Sequence, residues 1–138
     1  MAVAINWWAI LVCMVSAVAI GFVWYGPLFG KVWMRESGIT MPDKTPSMKK
    51  PIILSLIGAF LMAYALGHGI TFGNAYLNMS GAVSGVMGAF WYWLGFVVPV
   101  MFSFVAWEGK SWKLFFIQAG YWLVLILVMG AILASWSA

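Results

Sequence analysis

Four stretches of this chain, residues 5–25, 51–72, 81–106 and 114–136, contain no Asp, Glu, Lys or Arg. A hydrocarbon layer about 30 Å thick is crossed by about twenty helical residues, and each stretch reaches that length. In lipid every backbone N–H and C=O must be paired within the protein, which an α-helix achieves inside one segment. The sequence therefore predicts an all-α integral membrane protein, a four-transmembrane-helix bundle forming one membrane domain over residues 1–138. Composition agrees: 65% of the residues are hydrophobic and 7% charged, against about 25% charged in a soluble domain. The lipid bilayer is the first partner implied.

Charge placement gives direction. Lys31, Arg35, Lys44, Lys49 and Lys50 fall between the first two runs, Lys110 and Lys113 between the last two, and no Lys or Arg lies elsewhere. Short basic connectors beside apolar runs orient a chain in a membrane, so no nucleic-acid partner is expected. Loops 26–50 and 107–113 are placed on the cytoplasmic side, with both termini and the turn GNAYLNMS outside. The first run lacks a basic start and is too long for a secretory leader, so it is expected to remain as an anchor. Cys13, the single cysteine, lies in an apolar run and excludes a disulfide within the chain.

The exit from the first run reads VWYGPLFGKVWMRESG. Trp24 and Tyr25 stand at headgroup depth, where amphipathic rings anchor a span, and Trp33, Trp107 and Trp112 are assigned the same role. Pro27 suits the first turn of a new helix, since its missing N–H is unpaired there anyway. Leu28, Phe29, Val32 and Trp33 recur at helical spacing opposite Lys31, Arg35 and Glu36, and Gly38 supplies a stop. The spacing predicts a short interfacial helix within the loop 27–50, then an extended ITMPDKTPSMKK, with Lys49 and Lys50 anchoring the second span.

GFVWYGPLFGKVWMRESGIT and, later, WEGKSWKLFFIQAGYWLVLILVMGAIL resemble a family of small bacterial membrane proteins catalogued only as a domain of unknown function. The resemblance covers nearly the whole chain. It implies a four-span protein of a bacterial inner membrane and carries over no activity and no functional residue.

Membrane helices associate through close packing, so small residues at helical spacing mark contact faces. On the third span Gly81, Gly85, Gly88, Tyr92, Gly95 and Pro99 share one stripe, opposite Val83, Val86, Phe90, Leu94, Val97 and Met101. On the first, Asn6, Ala9, Cys13, Ser16 and Ala17 share a face. Pro99 cannot donate to Gly95, which predicts a kink. Gly21-Phe22-Val23 before Pro27 and Gly95-Phe96-Val97 before Pro99 suggest a tandem repeat.

The second span carries Tyr64, His68 and Thr71 on one face. With Asn6, Asn74 and Tyr92 they have two readings: an outward-facing polar vestibule, or an interhelical hydrogen bond from His68 to Tyr64 or Tyr92. Gln118 and Tyr121 on the last span admit the same pair of readings. Proton-coupled transport relies on an intramembrane carboxylate, and Glu36, Asp43 and Glu108 all sit in connectors. One His without neighbouring acids is too few ligands for a metal, and no catalytic constellation or cofactor motif is evident. The expected function is non-catalytic: packing and assembly, as a homo-oligomer or an accessory subunit of a larger membrane complex. The alternative is a channel or facilitator for an ion or small neutral solute, with His68 near its mouth.

Overall fold

The computed structural model describes residues 3–38 and 49–136, and all regular structure among them is helical. α1 (Trp7–Val23) runs into a widened π-type turn (Trp24–Leu28), followed by α2 (Gly30–Ser37), α3 (Lys49–Leu77) and α4 (Gly81–Tyr92). A second widened turn (Trp93–Val97) leads into α5 (Val98–Ala106), and α6 (Trp112–Ser135) ends the bundle. Four helical units are long and apolar enough to cross a membrane: Trp7–Leu28, Lys49–Leu77, Gly81–Ala106 and Trp112–Ser135. Residues 39–48, which hold Lys44 and most of ITMPDKTPSMKK, lie outside the described residues.

Capping side chains fix which ends meet. The Asn6 carboxamide oxygen accepts the backbone N–H groups of Trp8 and Ala9 at 3.0 and 3.3 Å, starting α1. Its nitrogen donates to the Trp136 carbonyl at 3.1 Å, so the first and last helices close together there. At the other end Ser111 caps α6 by accepting from the Leu114 N–H, and donates to Glu36 Oε2 at 2.7 Å. That bond ties α2 to the start of α6 and puts the two basic connectors at one end of the bundle. α2 stops where expected, at Gly38 with φ of 72°.

Two boundaries differ from the sequence reading. The second span continues to Leu77 instead of ending at Phe72, so most of GNAYLNMS is helix; Asn78, at φ 55°, turns the chain. Pro27 does not begin a new helix. It lies inside the widened turn that finishes the first span. A helical proline has no N–H to give and its ring presses on the carbonyl four residues back. The turn takes in one more residue instead, and the Phe29 N–H reaches the Trp24 carbonyl at 2.9 Å.

α6 occupies the centre, packed against α1, α3, α4 and α5. Ile10, Cys13, Leu125 and Met129 fill the middle of the bundle, each at most 2% exposed. Ala9, Cys13 and Ala17 are buried on the expected face of α1. The closest approach is between α4 and α6. A methyl group on Gly130 would stand 2.5 Å from the Gly85 carbonyl oxygen and 2.7 Å from the Ala89 methyl; one on Gly85 would collide with the Gly130 carbonyl. Gly85 and Ala89 face Gly130 and Ala134, small residues four apart on both helices, so two backbones touch.

The expected glycine stripe is thereby narrowed. Gly85 makes the contact and Gly88 reaches only an Ile70 side-chain carbon at 4.0 Å, while Gly81 and Gly95 have nothing within 4 Å of a Cβ position. Pro99 is exposed, and Met101, expected on the outer side, is buried. The cause is the widened turn at Trp93–Val97: one extra residue rotates everything after it by about 100° relative to an unbroken helix.

Gly85→Ala is expected to destabilise the bundle by about 1–3 kcal/mol, as overpacked cores do. Gly73→Ala, where nothing lies within 4 Å, is expected to be neutral or stabilising. Unfolding in mixed micelles separates the two. The Ser111 hydrogen bond, helped by Lys113 and Arg35 against a burial penalty, holds the Glu36 carboxyl below its ordinary range. A depressed carboxylate stabilises fully above its unfolded value and loses that contribution as pH falls through its folded one. Amide exchange over residues 30–37 is therefore expected to stay slow at neutral pH and to accelerate only below the usual carboxylate range, and Glu36→Gln should flatten that acid limb.

Candidate functional site

The residues expected to form a vestibule do not converge on one cavity. Asn6 is consumed by capping and by its bond to Trp136. His68 Nδ1 lies 2.9 Å from the Tyr64 carbonyl of its own helix; a carbonyl only accepts, so that nitrogen carries a proton. The ring packs on Tyr64, which continues through Phe60 and Trp7 as an aromatic ladder along α1 and α3. The interhelical bond to Tyr92 is absent, because the Tyr92 hydroxyl sits against Gly69. The Thr71 hydroxyl donates to the Gly67 carbonyl at 2.8 Å, and Asn74 serves the turn at Asn78 through its carbonyl. Asn6 and Thr71 line a small cavity of about 120 Å³ beside Gly67 and Leu133.

The large cavity is at the opposite, basic end. α3 packs against α4 but makes no comparable contact with α5, and between them opens a cleft of about 930 Å³. Its floor is Ala17, Ala59, Trp122 and Leu125; its sides are Gly21 and Phe22, Leu54 and Gly58, and Phe96, Val100 and Phe104. Among the described residues that line it, none is Asp, Glu, Lys, Arg or His. Phe22, Leu54, Phe96 and Val100 remain exposed, so the cleft opens sideways, toward the surroundings of the helices. Its volume falls within the range of about 300–1,000 Å³ typical of ligand pockets.

One corner of the cleft is polar. Tyr25, Trp33, Gln118 and Tyr121 meet there, with Tyr25 ring centroids 5.1 Å from Trp33 and 5.2 Å from Tyr121. Ser55 stands on α3. The Tyr121 hydroxyl donates to the Ala17 carbonyl at 3.2 Å. The backbone on either side of Gln118 is held: the Trp24 indole N–H donates to the Ile117 carbonyl and the Trp93 indole N–H to the Ala119 carbonyl, each at 2.9 Å. Each of these tryptophans opens one of the two widened turns. The first and third spans thus grip α6 on either side of Gln118.

Trp24 is half-buried and bonded inward, while Tyr25 and Trp33 are half-buried at the cleft. Trp107 and Trp112, and the chains of Lys49 and Lys50, are exposed at the basic end. Sequence reasoning singled out Gln118 and Tyr121 but missed Gly130, Ser55, Gly58 and the cleft itself. Single small residues in an apolar run gave the only signal. Among the described residues no three His, Cys, Asp or Glu side chains come together.

No curated protein and no solved structure matches this chain. A family described as "Protein of unknown function (DUF1761)" matches residues 8–134, which takes in all four spans but for Trp7 and Ser135 and includes the described lining of the cleft. The chain belongs to the DUF1761 family.

Proposed function

We propose that this chain is a non-catalytic membrane protein whose lateral cleft holds an apolar or amphiphilic molecule taken from the bilayer. One observation carries the reading: a cleft of about 930 Å³, with no charged side chain among the described residues that line it, open sideways between α3 and α5. A molecule already dissolved in lipid reaches such a site without crossing water. The basic end, with Lys31, Arg35, Lys110 and Lys113, faces the cytoplasm of a bacterial inner membrane on this reading, and the Asn6–Trp136 end faces outward.

The assembly role expected from the sequence takes a specific form here, a bundle whose open side is completed by something non-covalent. A second copy or another subunit is supported by the third span, where Val83, Trp91, Phe96 and Val100 are more than 60% exposed. Conduction has less support. Ile10, Cys13, Leu125 and Met129 pack the bundle between the cleft and the small pocket at the other end.

Native mass spectrometry of the protein released from mild micelles tests the proposal. A co-purifying small molecule is expected on the wild type. Gly58→Trp should remove it while leaving the helical content intact, because a side chain at Gly58 projects where nothing lies within 4 Å. A second chain in place of the small molecule would favour assembly instead, and binding unaffected by Gly58→Trp would overturn the cleft as the site.

A further inference from the structure

We infer that the occupant of the cleft is an uncharged lipid whose carbonyl-bearing ring head, of the prenylated-quinone type, docks at Gln118, Tyr25 and Ser55. The inference rests on the cleft reading above and adds the chemistry of the head. An unpaired charge moved into a low-dielectric site costs far more than a neutral polar group, and the described lining offers no counter-charge. Phosphate and carboxylate heads are thereby disfavoured inside the cleft, whatever tail they carry.

Three polar side chains lining the cleft, Tyr25 and Gln118 at its corner and Ser55 on α3, have no hydrogen-bond partner among the described residues. Three serine and threonine hydroxyls on the spans return to their own helix, Thr71 to Gly67, Ser84 to Gly81 and Ser103 to Val100, while those of Ser16, Tyr64 and Tyr92 make no hydrogen bond among the described residues. Among the described residues the Ser55 and Tyr25 hydroxyls and the Gln118 amide make no hydrogen bond. All three can donate, which suits carbonyl oxygens on an occupant. Their depths agree as well. α3 and α6 both run inward from the basic end, and Ser55 and Gln118 each stand six residues from their helix starts at Lys49 and Trp112, about 9 Å at the helical rise. The head would lie just below the interface, with the rings of Tyr25 and Trp33 beside it, and the tail would follow the apolar wall toward Phe96.

The test uses the full-length protein in nanodiscs and a decyl-tailed benzoquinone, read by quenching of tryptophan fluorescence. The site-specific part is the saturable component that Gly58→Trp abolishes. Two competitors complete the set: oleate, with a charged head, and decylbenzene, with a ring but no carbonyl. The quinone is expected to bind saturably and both competitors to displace it poorly. Gln118→Leu should weaken it roughly 2- to 10-fold, the loss of one hydrogen bond. Ser55→Ala, which removes only an exposed hydroxyl, should weaken it in the same direction and provides a variant with no packing to lose. Equal displacement by oleate or decylbenzene, or unchanged affinity in both variants, overturns the carbonyl head while leaving the cleft as an apolar site. Absence of any saturable component sensitive to Gly58→Trp, for all three probes, overturns the cleft reading itself.

Discussion

Two backbones touch at Gly85 and Gly130, and the shape of the molecule follows from that contact. Apolar side chains gain little by leaving lipid for protein, because lipid tails are as apolar as leucine. Close packing has to supply the attraction, and only residues without bulk allow it. With Ala89 and Ala134 one turn further along each helix, the third and fourth spans meet at the end away from the basic connectors. The same contact limits the third span's freedom elsewhere. Beyond its widened turn it turns Met101 inward toward Phe115 and Ala119 and leaves α3 on the far side of the cleft.

The two widened turns are the second constraint, and proline accounts for each. Pro27 lies within the first and Pro99 two residues beyond the second, each replacing a hydrogen bond that a regular helix would make. In both cases the turn opens with a tryptophan two residues before a glycine, Trp24 before Gly26 and Trp93 before Gly95. In both, the indole N–H finds a carbonyl of α6. A buried indole donor without a partner would be costly, so these bonds hold the loosened turns in place as well as the helix they reach. The register the two turns share is Trp-x-Gly, not the Gly-Phe-Val before proline that suggested a repeat in the sequence.

What could be read from the sequence follows from which forces are local. Span positions, the shared end of the basic connectors, the stop at Gly38 and the buried Ala9, Cys13 and Ala17 face all come from hydropathy, charge or helical periodicity. Gly95, Pro99 and Met101 were misplaced because that periodicity assumes 100° per residue throughout, and a single inserted residue breaks it. His68 drew attention as the single histidine of the chain, placed inside a span. Its ring nitrogen is satisfied by its own helix, a solution that spacing does not distinguish from a site. Gly130 was hidden as one small residue in a long apolar run. The cleft was out of reach because it belongs to no helix: it is the space left when three spans follow α6 and one does not follow α5.

That origin bears on what the cleft can select. In water an apolar cavity fills by the hydrophobic effect; in a bilayer every competitor is equally apolar, and burial area alone distinguishes nothing. Selection must come from shape and from hydrogen bonds made in a place where lipid tails offer none. The floor of Ala17, Ala59 and Leu125 provides shape, and the polar groups of the described lining, Tyr25, Gln118 and Ser55 among them, provide directional interactions. The backbone on either side of Gln118 is held by tryptophans from two different spans, so the place from which its amide reaches out does not depend on an occupant. A backbone fixed in advance loses less freedom on binding. On the proposed reading, a polar corner above an apolar trough then favours holding one kind of lipid over admitting any.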